Sequence, residues 1–334
     1  MRSLTVRRVL FLVFLGLSAV FAGVLSLCFG VRPTQLSEVQ SAFFAFDPGI
    51  AEHIVVQNLR LPRAFAALIG GGALGLAGAL MQVLTRNPLA DPGLLGVNGG
   101  AAMGVVIAIW AFGITAQSTL VLPALAGSAV AAGLVLLLGG TGRGPDPTRL
   151  ILAGAAISAL FLAFTWSILI LSRESLDIYR FWVLGAFSDI RMDSLWDLWP
   201  AYAIALPLAA VAAFLLDPLT LGEETARALG ARVGLARLVS VLAIVLLCGT
   251  TVSMAGPIAF IGLIVPHIMR SFVGADVRVL ALASFLAGAL LAIVADTFGR
   301  LILPGQEIEA GAMMALIGGP VLVAIVRTRR GVVV

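Results

Sequence analysis

Residues 60–100 read RLPRAFAALIGGGALGLAGALMQVLTRNPLADPGLLGVNGG, and this stretch decides how the chain folds. Two arginines, Arg60 and Arg63, flank Pro62, and a glycine- and alanine-rich apolar run follows that is long enough to cross a bilayer. A polar turn at residues 85–93 ends this run before a second apolar run begins. The stretch therefore predicts a membrane-spanning helix, a turn and the start of the next span.

The composition places the whole chain among polytopic membrane proteins. Its 334 residues are 60% hydrophobic and only 11% charged, and the mean hydropathy is +1.10. Soluble domains average about 25% charged residues, so a very apolar soluble domain is a poor alternative. The pI near 10.0 is then expected to report membrane topology rather than nucleic-acid binding.

Several chemical functions are disfavoured by what the sequence lacks. All 21 basic residues are arginine, whereas a Walker A loop requires a lysine, so a partner must supply any ATP hydrolysis. Cys28 and Cys248 lie singly in apolar runs and are predicted to be small buried hydrophobes. With only two histidines, His53 and His267, a histidine-rich metal site is not expected. We expect no catalytic residue, metal or bound cofactor in this chain.

Ten apolar runs predict ten transmembrane helices in one all-α membrane domain covering residues 1–334. The predicted spans are 9–29, 61–84, 94–112, 119–138, 150–171, 199–216, 235–251, 257–272, 279–298 and 311–326. The first run could instead be a signal peptide, but it is too long and lacks a clear cleavage site. Residues 172–198 mix charges with tyrosine and tryptophan, which predicts a short helix at the membrane interface.

The distribution of arginines predicts the orientation of these spans. If both termini are cytoplasmic, fourteen arginines fall on the inside and seven on the outside. Cytoplasmic loops of membrane proteins carry such an excess of basic residues. The sequence therefore predicts a multi-pass protein with both termini inside.

Three arginines, Arg60, Arg63 and Arg300, lie at the outer ends of predicted spans. Arginine is less expected there, because basic residues are concentrated on the cytoplasmic side. They could anchor helices by extending their side chains to the interface. They could also form a docking patch for an acidic partner, because guanidinium groups bind carboxylates through paired hydrogen bonds. Asp296 is expected to pair with Arg300, one helical turn further along.

The second span carries small residues at regular spacing, among them Gly71, Gly75 and Gly78. Small residues at this spacing allow neighbouring membrane helices to approach closely. The pattern fits tight helix packing and a helix that lines a pore equally well.

Residues 222–230 read GEETARALG and predict a short helix on the inner face. Acidic residues stand in its first turn, an arginine in its last turn and glycine at its end, as favoured by the helix dipole and by C-terminal capping. It could be an ordinary solvated helix or a plug that fits a partner's cleft. The candidate contact residues are Glu223, Glu224, Thr225, Ala226, Arg227, Leu229 and Gly230.

The residues are less consistent with two other functional classes. An ion-coupled secondary transporter generally needs ionisable residues at mid-depth, and the nearest candidates, His267 and Asp296, lie towards span ends. An intramembrane enzyme would need a nucleophile–base pair or a metal cluster within the spans, and no convincing set is visible.

Six segments of the sequence together resemble the FecCD-type permeases of ABC importers, which take up iron–siderophores, haem or vitamin B12. These segments are RLPR at 60–63, GALMQVLTRNPLADPGLLGVNG at 78–99, LGEETARALG at 221–230, GPIAFIGLIVPHIMRSFVGAD at 256–276, ADTFGRLILPGQ at 295–306 and IGGP at 317–320. They occur in the family's order and are spread over residues 60–320, which is most of the length of the chain. Within the family the chain looks most like the ferric-enterobactin type, including the Tyr179–Trp182 region.

The resemblance implies the fold and the partners. The architecture would be that of type II ABC importers, like the vitamin B12 permease, with the path at the interface between two permeases, either two copies or a sister chain. Two cytoplasmic ATPase subunits, carrying ATP and Mg²⁺, and a periplasmic or lipid-anchored substrate-binding protein would complete the importer in the bacterial inner membrane. The cargo would be a ferric siderophore, with haem or vitamin B12 as alternatives, and no nucleic acid is involved.

The resemblance also implies roles for individual residues. Arg60, Arg63 and Arg300 would meet glutamates of the binding protein, and Asn87 and Leu89 would line a cytoplasmic gate. Residues 223–230 would form the coupling helix in a groove of the ATPase. The loop at 139–149 departs from the family pattern, so no gate residue is assigned there.

Overall fold

The computed structural model describes residues 2–30, 33–116, 119–141, 144–303 and 305–329. Across those residues the chain is almost entirely helical, with one antiparallel pair of two-residue strands, β1 Gly140–Thr141 and β2 Gly144–Pro145. The helices are α1 Arg2–Cys28, α2 Leu36–Phe44, α3 Ala51–Val55, α4 Leu61–Thr85, α5 Val97–Phe112, α6 Val121–Gly139, α7 Pro147–Leu171, α8 Arg173–Trp182, α9 Met192–Leu216, α10 Glu223–Ala228, α11 Val233–Ala255, α12 Ile261–Val273, α13 Val277–Gly299 and α14 Ala310–Arg329.

Each predicted span overlaps one of these helices. By length and composition, seven helices in the described residues can cross a membrane: Val6–Cys28, Ala51–Thr85, Val121–Gly139, Pro147–Leu171, Met192–Leu221, Val233–Ala255 and Val277–Gly299. The other three predicted spans correspond to shorter apolar helices, Val97–Phe112, Ile261–Val273 and Ala310–Ile325. The single membrane domain of ten crossings stays a prediction.

Helix α12 begins later than the sequence predicts because of its backbone. The predicted start was residue 257, but the helix begins at Ile261. Gly256 and Phe260 both have positive φ, of 70° and 71°, which interrupts a right-handed helix. The Gly256-Pro257 pair therefore forms an irregular link rather than a first turn.

Helix α4 lies inside the helix bundle and is the most buried of the long apolar helices described. It packs along α13, and also against α11 and α12. A Cβ atom on Gly71 or Gly75 would overlap backbone atoms of Gly288 or Ser284 in α13. Small residues thus allow these two backbones to touch, which explains why glycine recurs in the stretch that decides the fold.

Helix α8 is the short helix predicted within residues 172–198, and its position at the membrane interface stays a prediction. After α7 ends at Leu171 the chain reverses, and α8 runs back alongside α5 and α7. Its Tyr179 and Trp182 are buried against other parts of the chain. Contacts with distant helices determine the position of α8, and local composition does not reveal them.

Candidate functional site

One end of the helix bundle holds a cluster of charged residues, here called the arginine cluster: Arg60, Arg63, Asp296, Arg300 and Glu307. Arg63 donates from Nε to both carboxylate oxygens of Asp296, each at 3.0 Å, and its Nη2 lies 3.0 Å from Oδ1. Its Nη1 lies 2.6 Å from a carboxylate oxygen of Glu307. The guanidinium therefore joins α4 to α13 and to the segment before α14.

Arg300 and Arg60 complete the cluster by capping the end of α1. Arg300 lies 3.3 Å from Asp296 and donates to the backbone oxygens of Phe29 at 2.9 Å and Ser26 at 3.2 Å. Arg60 donates to the backbone oxygen of Leu27 at 2.7 Å. Carbonyls in the last turn of a helix have no intrahelical donor and carry partial negative charge, so cations are stabilising there.

This arrangement changes the interpretation of the three arginines predicted for docking. Arg60, Arg63 and Arg300 are all buried, and each binds groups of its own chain. The expected pair of Asp296 with Arg300 is present. The docking role stays a prediction, but in this structure the guanidiniums do not form an open patch.

Glu307 and Glu309 belong to this site and were not singled out from the sequence. Glu307 binds Arg63, while one carboxylate oxygen of Glu309 is buried without a hydrogen-bond partner among the described residues. Burial raises the pKa of Glu309 above its ordinary value, and the nearby charge of Arg63 offsets only part of that rise. No spacing rule links these acids to Arg63, because the chain brings them together only in the folded state.

The turn after α4 holds the residues predicted to form a gate. Arg86 adopts left-handed φ of 52° at the end of the helix and donates to the backbone oxygen of Leu219 at 3.1 Å. The side-chain oxygen of Asn87 accepts from the backbone nitrogen of Leu89 at 3.0 Å. Asn87 is exposed and Leu89 is half-buried. The turn is thus locally fixed, and its role as a gate stays a prediction.

The predicted coupling segment forms α10 at the same end as this turn. Glu223 lies 2.6 Å from Arg227 within the helix and 2.8 Å from Arg237 in α11. Ala226 is fully buried, so one face rests on the protein, and Gly230 takes a positive φ of 84° after the helix. Exposed on the other side are Glu224, Thr225, Arg227, Leu229 and Gly230, with Leu229 67% exposed.

The three glycines predicted for packing or pore lining all face neighbouring helices. Gly71 and Gly75 contact α13, and a Cβ atom on Gly78 would overlap the carbonyl of Gly262 in α12. Each of the three is buried within the single chain. The structure therefore shows their packing contacts. Their role in lining a pore stays a prediction.

The described residues bring together no group of three His, Cys, Asp or Glu side chains that could hold a metal ion. Cys248 in α11 is buried as predicted, whereas Cys28 at the end of α1 is only half-buried, so its predicted burial is wrong. His53 accepts a hydrogen bond from the backbone nitrogen of Asp47 at 3.0 Å and lies 2.8 Å from the Ser41 hydroxyl. These contacts give it a structural role between α2 and α3.

Comparisons with known proteins agree over nearly the whole chain. Residues 18–328 match the FecCD transport family. The chain is 42% identical over 328 residues to the ferric enterobactin transport system permease protein FepD of Escherichia coli strain K12, covering 98% of both chains. It is 36% identical over 321 residues to the vitamin B12 import system permease protein BtuC of Salmonella typhi, covering 95% of this chain and 94% of that one.

A solved structure supports the same assignment. It is described as an inward-facing conformation of a metal-chelate type ABC transporter, and it superposes with a TM-score of 0.83 at 29% identity, covering 96% of this chain and 99% of the other. From sequence and fold alike, the chain belongs to the FecCD transport family.

Proposed function

We propose that this chain carries a ferric siderophore of the catecholate type from the outside to the cytoplasm, driven by a partner ATPase. As a member of the FecCD family it is a permease of the siderophore- and vitamin-B12-type ABC importers, a transport subunit rather than an enzyme. The observation that carries the choice of cargo is the 42% identity, over nearly the whole chain, to a ferric enterobactin permease.

The proposed partners follow from the two ends of the bundle. Helix α10, which rests on α11, and the exposed Leu229 that follows it form the surface that we assign to the ATPase, two copies of which would bind ATP and Mg²⁺. The end with the arginine cluster would meet a substrate-binding protein. A second permease, either a copy of this chain or a sister, would complete the path, with Asn87 and Leu89 as its cytoplasmic gate.

We place the protein in the bacterial inner membrane with both termini cytoplasmic. Of the 21 arginines, fourteen fall on that side when both termini are inside. Reporter fusions after residue 329 and within residues 113–120 test this orientation. If a reporter that works only outside the cytoplasm is active when fused to the C-terminus, this orientation is wrong.

Alternative cargoes belong to the same family, whereas an ion-coupled mechanism is less consistent with the structure. The 36% identity to a vitamin B12 permease keeps vitamin B12 as a second candidate, with haem as another. A proton- or sodium-coupled carrier would need a titratable group available to the ion. Asp296, the buried acid nearest to that requirement, is held by ion pairs with Arg63 and Arg300.

The test is reconstitution of the permease with its ATPase and binding protein in lipid vesicles. We expect ATP-dependent uptake of ferric enterobactin that persists in the presence of a protonophore. Haem, cyanocobalamin and a ferric hydroxamate serve as competing cargoes, and an ATPase variant lacking its Walker A lysine serves as the control. Preferred uptake of another cargo would refute the catecholate assignment, and uptake without nucleotide would refute the ATP-driven mechanism.

A further inference from the structure

A cavity of about 310 Å³ lies between the first turns of α1 and the last turn of α12. Arg7, Arg8 and Phe11 line its α1 side, and Phe272 and Gly274 line the other side. The ring of Phe11 stacks on that of Phe272, with centroids 5.2 Å apart and an interplanar angle of 14°. The cavity thus joins two cationic side chains to a pair of aromatic rings.

The sequence of α1 places its three lining residues on one side of the helix. Phe11 follows Arg8 by three positions and Arg7 by four, and residues at these spacings are neighbours on a helix surface. Arg8 reaches the far side of the cavity, because a Cβ atom on Gly274 would lie only 3.2 Å from an Nη atom of its guanidinium. Arg8 is half-buried and Arg7 is exposed.

The positive charge of this cavity is not balanced within the described residues. There, neither Arg7 nor Arg8 has an acidic partner, and no acidic side chain lines the cavity. The nearest acid in sequence, Asp276, instead accepts hydrogen bonds from the backbone nitrogens at the start of α13, at 3.1 and 3.3 Å. The end of α12 contributes roughly half a negative charge through its last carbonyls, which offsets only part of two guanidiniums.

The cavity lies at the end of the bundle opposite to the arginine cluster. Helix α13 runs from Val277, three residues after the cavity, to Gly299 beside that cluster. Arg7 and Arg8 directly precede the apolar run of the first predicted span, and residues 273–278 link two other predicted spans. The cavity is therefore expected where helices leave the hydrocarbon, at the level of the lipid phosphates, and in the inner leaflet for the proposed orientation.

We propose that this cavity binds the phosphate group of an anionic phospholipid, with Arg7 and Arg8 as its cationic partners and the stacked rings against its glycerol. Guanidinium groups bind phosphate oxygens through paired hydrogen bonds. Basic pockets between membrane helices on the cytoplasmic side bind anionic lipid headgroups. The acyl chains would extend along α1, most of which is exposed in the single chain. This inference goes beyond the proposed function and does not depend on the cargo.

The experiment titrates the purified permease in detergent micelles with lipid and measures the apparent Kd of the first bound lipid by native mass spectrometry. We expect phosphatidylglycerol to bind about tenfold more tightly than phosphatidylcholine, whose headgroup has no net charge. Replacing Arg7 and Arg8 together by glutamine should weaken phosphatidylglycerol binding about tenfold or more, since each basic residue facing an anionic lipid surface contributes about fivefold. Binding of phosphatidylcholine should change little.

The matched control is the pair Arg149→Gln and Arg232→Gln. Both arginines are exposed at the same end of the bundle and lie outside the cavity, so this variant loses the same charge. It should leave the Kd of phosphatidylglycerol nearly unchanged. Equal weakening in the two double variants would overturn the proposal, because it would show attraction to the whole basic end. Equal Kd values of the two lipids for the wild-type permease would overturn it as well.

Two further measurements exclude simpler roles for the arginines. An excess of inorganic phosphate should not displace phosphatidylglycerol; displacement would show a site for the free anion and refute the lipid assignment. A double variant of Arg7 and Arg8 that is less stable but binds phosphatidylglycerol with unchanged Kd would show that the two arginines only cap α12. If that variant does not fold, the exposed Arg7→Gln is compared with Arg149→Gln, and equal Kd values would overturn the proposal.

Discussion

Replacing Asp296 by asparagine tests whether the arginine cluster holds its end of the bundle together. Asp296 is fully buried and contacts the guanidiniums of both Arg63 and Arg300 at 3.0–3.3 Å. The substitution keeps the shape of the side chain but leaves two buried cations without their shared carboxylate. Breaking a buried ion pair in this way costs about 3–5 kcal/mol, or roughly a hundred- to several-thousand-fold in the unfolding equilibrium constant.

The matched control is Asp177→Asn, which breaks an ion pair of similar length on the surface. Asp177 lies 3.3 Å from Arg180, but the two side chains are 62% and 60% exposed, so the expected cost is about 0–1 kcal/mol. Both variants are unfolded with sodium dodecyl sulfate in mixed micelles and followed by helical circular dichroism. Equal destabilisation of the two, within about 1 kcal/mol, would refute the reasoning, because burial is the main difference between the pairs.

Three further predictions use the same protein in lipid or micelles. Gly78→Ala should destabilise the bundle by about 1–3 kcal/mol in the same unfolding assay, because the added methyl group overlaps the Gly262 carbonyl. The control Gly133→Ala has open space around its Cβ position and should be neutral or stabilising. Glu309→Gln should raise the thermal stability at pH 7. Because the pKa of Glu309 is raised, the folded state binds the proton more tightly than the unfolded state, and wild-type stability falls as pH rises from the ordinary carboxyl pKa through the raised one. The stability gained by the variant should therefore disappear below the ordinary carboxyl pKa. Leu229→Asp should lower ATP-driven uptake about tenfold or more while the permease still folds, since this exposed leucine is assigned to the ATPase contact; full uptake would remove that assignment.

Local patterns predicted the helices well because an apolar run long enough to cross a membrane has few alternatives. In lipid the backbone must satisfy its own hydrogen bonds, so such a run forms a helix. The errors lie where neighbouring contacts decide the outcome. Helix α9 begins at Met192 rather than at residue 199, since the aromatic and acidic residues before Pro200 continue the helix.

The arginine cluster shows why site geometry was harder to predict than the spans. Arg63 and Asp296 are separated by 233 positions, and Arg63 and Glu307 by 244. Only the Asp296–Arg300 pair, one turn apart on the same helix, could be found from spacing. Charge reversal at Arg60 and Arg63 would therefore be a poor test of docking, because it would bring a carboxylate against Asp296 and disturb folding as well.

The packing of α4 limits which parts of the permease can move during transport. Its glycines bring its backbone into direct contact with α13 and α12, so sliding along these interfaces would force carbonyl groups into overlap. The ion pairs of Arg63 hold one end of the same interface. By contrast, most of α7 is exposed within the single chain. We therefore expect rearrangement during transport in α7 rather than within the closely packed unit of α4, α12 and α13.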